Sequence, residues 1–254
     1  MSKIFITGGA RGIGLATAKI FIEQGWEVGI FDWDREAIDK AAESLPNTFV
    51  RLYTGDVLSK TDLHDALSSF ASEGLDCLLN NVGIIEVGEF DEIDIERQLQ
   101  IVDINLKGYM LTTSVALPFL KMTSQSVIVN MASAAALYGN PEITAYAASK
   151  AAVKSLTEAW NIAFRKYSIR CCDILPIYVR TRMVDDYVQD YRKLRLQDVK
   201  LTPDQVSEVI WKAMHGRKIH YYVGFETKIY ARLINWVPDG WLPLILRKVL
   251  GYND

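Results

Sequence analysis

The chain has 254 residues, half of them apolar, and a formal net charge of −3. That length suits a sizeable core, and mild acidity without a basic stripe excludes a nucleic-acid surface. No apolar run reaches the roughly 18 residues of a transmembrane helix, and Cys77, Cys171 and Cys172 form no disulfide framework and no metal set with His64, His215 and His220. The cysteine usage fits a reducing, cytoplasmic compartment. A strand-like run begins at Lys3, which leaves no space for a leader.

Ile4-Phe5-Ile6 predicts the first strand, and Thr7-Gly8-Gly9-Ala10-Arg11-Gly12-Ile13-Gly14 follows it. A helical pattern then runs to Gln24, so the glycines lie where a strand becomes a helix. Glycines let the backbone approach a pyrophosphate, and a helix N-terminus offers free N–H groups. A second strand over 27–31 ends in Asp32, 18 residues past Gly14. An acid there can accept from ribose hydroxyls and repel a 2′-phosphate. Asp34 is the expected cap of the next helix, which leaves Asp32 for the ribose.

A third strand over 48–53 leads to Gly55-Asp56-Val57, and a helix is expected over 59–71. A fourth strand over 76–79 closes in Asn80-Asn81-Val82-Gly83. Residues 94–120 read as one long helix with the polar Asn105 set among Ile101, Ile104 and Leu106. After a fifth strand over 126–131 come Ser133, a loop with Gly139 and Pro141, and a helix over 144–166 carrying Tyr146 and Lys150. Tyrosine and lysine four apart share a helix face. An ammonium beside a phenol lowers the phenol pKa, and a nearby hydroxyl can hold a carbonyl oxygen, so the set can serve an alcohol–ketone pair. A sixth strand over 170–175 ends at Pro176, an irregular stretch runs to about 200, Thr202 caps a helix to 214, and 219–223 is the last strand.

Strands alternate with helices throughout, which predicts an α/β fold: a Rossmann-like, doubly wound parallel sheet of about seven strands with helices on both faces. Ligands of such sheets bind beyond the carboxyl ends of the strands. Gly8, Asp32, Asp56, Asn81, Ser133 and Pro176 all fall at those ends.

With these motifs in this order, the chain resembles the short-chain dehydrogenase/reductase family from Lys3 to about Val223. The resemblance rests on Thr7-Gly8…Gly12-Ile13-Gly14, Asp56-Val57, Asn80-Asn81-Val82-Gly83, Asn105, Ser133, Tyr146-x-x-x-Lys150 and Pro176…Thr181. It implies Tyr146 as general acid/base, Ser133 as a donor to the substrate oxygen, Lys150 as the group that lowers the Tyr146 pKa and holds the nicotinamide ribose, and Asn105 as the anchor of a water. It implies Gly8, Arg11, Gly12, Ile13 and Gly14 around a pyrophosphate, Asp56 and Val57 beside the adenine, and Asn81 and Gly83 near its ribose. Pro176, Val179 and Thr181 would sit at the nicotinamide carboxamide. Two positions depart from the family pattern: Ile177 stands where glycine is usual, and Val82 where alanine is usual.

The expected activity is hydride transfer between NAD(H) and a secondary alcohol or ketone, with a regulatory or scaffold protein that binds the dinucleotide without turnover as the alternative. NAD(H) is favoured over NADP(H) because Asp32 outweighs Arg11. The expected pocket wall of Ser133, Leu137, Tyr138, Ile143, Ile177, Tyr178 and Met183 favours a hydrophobic substrate. The resemblance also implies a homodimer or homotetramer through the helices near 94–120 and 144–166. The whole chain, 1–254, is expected to form one domain with a substrate loop at about 177–200 and an amphipathic tail at about 226–250. That tail reads as two short helices about a Pro238-Asp239-Gly240 turn, with Lys228 and Arg232 opposite Ile229, Leu233 and Trp236. Packing of the tail on protein is favoured over a membrane interface, because its cations are few.

Overall fold

The computed structural model describes residues 1–46, 48–181, 201–233, 236–238 and 240–250. Met183 and most of the expected 177–200 loop lie outside the described residues. Seven strands, β1 Lys3–Thr7, β2 Glu27–Asp32, β3 Val50–Thr54, β4 Cys77–Asn80, β5 Ser126–Met131, β6 Ile169–Pro176 and β7 His220–Val223, form one sheet in the order β3-β2-β1-β4-β5-β6-β7. Every pairing is parallel. The connecting helices are α1 Gly12–Glu23, α2 Arg35–Ser44, α3 Lys60–Phe70, α4 Ile95–Val102, α5 Gly108–Leu120, α6 Thr144–Ala163 and α7 Pro203–His215, and the tail adds α8 Phe225–Leu233 and α9 Leu242–Leu250.

Strand side chains alternate between faces, and here both faces are covered. Ile4, Ile6, Val28 and Ile30 pack with Phe21 of α1, Ile38 of α2 and Ile210 of α7. Phe5, Phe31, Leu78 and Ile128 pack on the other side with Leu63 and Leu67 of α3 and Leu120 of α5. This double burial explains why the strands read as near-continuous apolar runs. A polar chain also crosses the middle of the sheet. Asn80 Nδ2 donates to Thr113 Oγ1 at 3.0 Å and to Asn130 Oδ1 at 2.9 Å, and Asn130 Nδ2 donates to Thr157 Oγ1 at 2.9 Å. It joins α5, β4, β5 and α6 through buried hydrogen bonds, which fixes α6 against the sheet.

The caps fall where the sequence places them. Asp34 accepts from Ala37 N at 3.0 Å. Thr202 and Gln205 form a reciprocal capping box at the start of α7. The expected long helix is interrupted, however: a wide π turn, Asp103–Lys107, separates α4 from α5. The turn carries Asn105, which is fully buried. Its amide accepts from Ile84 N at 2.8 Å and donates to Ile84 O at 2.9 Å. Pairing both backbone groups of a neighbouring loop offsets the cost of the irregular turn, a common use of π-bulges.

Candidate active site

The sheet order reverses between β1 and β4, and a cleft of about 910 Å³ opens beyond the strand ends on either side of that point. At one end lies the glycine loop. Gly8 and Gly12 hold φ of +64° and +51°, backbone angles that a Cβ disfavours. A Cβ on Gly14 would run into the Gly8 carbonyl, so this glycine lets α1 pack against the loop. Gly8, Arg11, Gly12 and Ile13 line the cleft, whereas Gly14 sits behind it.

Asp32 reaches the same end from β2. Its carboxylate accepts from Ala10 N at 3.1 Å and Asp34 N at 3.2 Å. Burial raises its pKa against the lowering effect of these two N–H donors. Arg11 is engaged by Asp34, with Nη1 2.6 Å from Oδ2. Asp56 and Val57 line the cleft beside them, and the Asp56 carboxylate accepts from Leu58 N at 2.9 Å. Asn81 is fixed by donating Nδ2 to Gly8 O at 2.8 Å and Thr7 O at 3.2 Å.

These residues fit a dinucleotide. The start of α1 has no side-chain cap, and Gly12 and Ile13 of its first turn line the cleft. Uncapped N–H groups at a helix start suit a pyrophosphate.

The other end gathers Ser133, Tyr146 and Lys150. Ser133 follows β5, and its hydroxyl hydrogen-bonds the Tyr146 phenol. Ser133 Oγ also accepts from Ala135 N at 3.1 Å, which sets its rotamer. Lys150 is 2% exposed. Its Nζ donates to Met131 O at 2.8 Å and Tyr109 Oη at 3.3 Å, and lies 5.7 Å from the Tyr146 ring centroid. Burial drops the Lys150 pKa to about 7.

The expected lowering of the Tyr146 pKa is not what this arrangement produces. Burial raises it, and the Ser133 hydrogen bond recovers only part of the shift. The physical reason is desolvation of the phenol itself, since burial disfavours the charged phenolate by more than the Ser133 hydrogen bond restores.

Asn105 does not line the cleft; it clamps the loop after β4 and donates to Ser149 Oγ at 3.2 Å. Gly83, Pro176, Val179 and Thr181 do line it. Arg180 N donates to Leu201 O at 2.9 Å, which ties down the 179–181 stretch. Of the expected pocket wall, Tyr138, Ile143, Ile177 and Tyr178 face the cleft. Leu137 does not: it packs on the small cluster of Tyr109, Ala132, Val153 and Leu175, because the one-turn 3-10 helix Ala134–Leu137 directs it inward.

Ile84, Ile85 and Val87, which no motif marks, add apolar wall, and Arg97 and Gln100 add a polar corner. Their signal was position, directly after a strand end and one turn apart on a helix. No motif marks Tyr109 either, although it stands four residues after Asn105, the spacing of one helix face.

Among the described residues, no cluster of His, Cys, Asp and Glu could hold a metal, and no helix is long and apolar enough to cross a membrane. Burial raises the pKa of all three cysteines, that of Cys172 to about 11, so they behave as core residues and not as nucleophiles.

The sequence matches the profile described as short chain dehydrogenase over residues 2–192. The chain belongs to the short-chain dehydrogenase family of oxidoreductases. It is 31% identical over 214 residues to a 3-oxoacyl-(acyl-carrier-protein) reductase of Thermotoga maritima, covering 81% of this chain and 87% of the relative. It is 30% identical over 213 residues to a meso-2,3-butanediol dehydrogenase of Serratia marcescens, covering 82% and 84%. Among solved structures, a 3-ketoacyl-(acyl-carrier-protein) reductase from Brucella melitensis complexed with NADH superposes with a TM-score of 0.77 at 25% identity, covering 87% of this chain and 96% of the other.

Proposed function

We propose that this protein transfers hydride between NAD(H) and a hydrophobic secondary alcohol or ketone. The observation that carries the reading is the meeting of Ser133, Tyr146 and the buried Lys150 in the same cleft as the glycine loop. The bound nicotinamide would supply or accept the hydride. In the ketone-reducing direction Ser133 donates a hydrogen bond to the carbonyl oxygen, and the neutral Tyr146 phenol gives that oxygen its proton. In the oxidising direction the phenolate takes the alcohol proton. Lys150, when protonated, stabilises that phenolate and presents its ammonium to the ribose. Asn105 acts at one remove, holding the 84–105 contact that shapes the floor of the site.

Two observations support NAD(H) over NADP(H). Asp32 lines the cleft, and Arg11, a cation at the same end, is already paired with Asp34. The apolar side chains Ile84, Ile143 and Ile177 support a hydrophobic substrate. The relatives named above act on a ketoacyl group and on a diol, both within the alcohol–ketone class. Exposed Leu99 and Met110 on α4 and α5, and Ile162 on α6, support assembly through those helices.

The test is NADH oxidation with a panel of aliphatic and cyclic ketones, repeated on Tyr146→Phe. Turnover by the wild type and its loss in the variant, with NADH binding retained in both, is the expected result. Equal turnover by the two proteins would remove Tyr146 from the chemistry.

A further inference from the structure

The tail does not bury the apolar face that its sequence advertises. In α8, Thr227 and Ala231 turn inward, while Phe225 is 76% exposed. At 100° per residue, Phe225, Lys228, Ile229 and Arg232 share one side of the helix, and all four are exposed. The cations therefore lie beside the apolar residues, not opposite them as the sequence reading held. Trp236, just beyond, is 87% exposed. After the turn closed by Trp241 N donating to Pro238 O at 2.8 Å, the same pattern returns. Trp241, Leu244, Ile245 and Lys248 stand at helical spacing and are exposed.

We propose that α8 and α9, with Trp236 and Trp241 between them, form a peripheral docking surface for an anionic membrane interface. Large apolar side chains interleaved with cations are what a helix lying in the headgroup region presents, the tryptophans seated at the boundary and the cations on lipid phosphates. Positive charge is concentrated here: the segment holds four cations against two acids in a chain of net charge −3. A second copy is a poorer occupant, because a two-fold interface sets the same patch against itself and brings Lys228 and Arg232 towards their own images. The surface lies on the bilayer and does not span it, since each nine-residue helix reaches only about 14 Å. α8 packs on β7 and on the Ala134–Leu137 turn just after Ser133, so docking holds the reactive end of the cleft close to the leaflet.

The test is co-sedimentation of the full chain with vesicles of phosphatidylcholine, with and without phosphatidylserine. The expected result is pelleting with the anionic vesicles that weakens as salt rises. Lys228→Gln/Arg232→Gln is expected to weaken it roughly thirtyfold, and Trp236→Ser/Trp241→Ser to abolish it, with thermal unfolding of both variants unchanged. A chain that stays in the supernatant, or a tryptophan variant that pellets as well as the wild type, overturns the proposal. Self-association that the tryptophan variant loses, without vesicle binding, overturns it in favour of a second copy.

Discussion

The two ends of the cleft are built on different principles. The Gly8–Asp32–Asp56 end works through backbone: glycine angles, an uncapped helix start, and side-chain charges that already have partners in Ala10 N, Asp34 N and Leu58 N. The Ser133 end works through ionisable side chains driven into a crowded interior, where Lys150 donates to the Met131 carbonyl and the Tyr109 hydroxyl. The first end fixes a shape and the second perturbs acidity. A substitution at one should therefore change binding, and at the other chemistry and pH response.

The largest contrast is expected from Tyr146→Phe, which removes the transferable proton. General acid–base catalysis contributes on the order of 10²–10⁴ in rate, so kcat is expected to fall by about that factor while NADH affinity, measured by fluorescence titration, stays nearly constant. A comparable loss of NADH affinity would erase the division between the ends.

Next comes Lys150→Met, read as stability against pH. The unfolded chain protonates this lysine near 10.4, but the native state does so only near 7. Between those values the unfolded state holds more protons, so this lysine destabilises the native state progressively as pH falls from about 10 to about 7, by about 1.4 kcal/mol per unit, and by a constant amount below. The variant's stability relative to wild type is expected to rise across that window and level off below it. A difference that does not vary with pH would mean the lysine is not held in a desolvated site.

At the binding end, Gly12→Ala puts a Cβ on a residue at φ +51°. The strain is about 1–2 kcal/mol, and the expected signature is a raised KM for NADH with kcat at saturation nearly retained. A selective fall in kcat would instead tie the loop to the chemistry. The smallest effect is expected from Asp34→Asn, which keeps the α2 cap but releases Arg11 from its ion pair. The ratio of kcat/KM for NADPH to that for NADH should rise severalfold; no change would show that Arg11 does not face the 2′-position.

The fold was legible because its signals are local. Apolar runs bounded by Gly8, Asp32 and Asn81 mark strand ends, and Asp34 and Thr202 mark helix starts, so parallel alternation followed directly. The site was legible as far as motif spacing reaches. What was hidden depends on tertiary surroundings. The π turn at 103–107 exists because Asn105 finds Ile84 across the cleft floor, and no helical pattern within 94–120 encodes that partner. Leu137 was misplaced because apolar character does not say which way one turn of 3-10 helix will face. The acidity of Tyr146 is not legible because the spacing Tyr-x-x-x-Lys reports proximity but not the burial of the phenol, which disfavours its charged form.

The most direct measurement follows the hydride itself. With NADH deuterated at the transferring carbon and a reactive hydrophobic ketone, the product alcohol is analysed by mass spectrometry. Deuterium on the carbinol carbon from the wild-type protein, with a rate reduced at least hundredfold in Tyr146→Phe, is the result this account predicts. A protein that binds NADH and yet delivers no label to any ketone in the panel would contradict it, and would make the cleft a dinucleotide sensor instead of a reaction site.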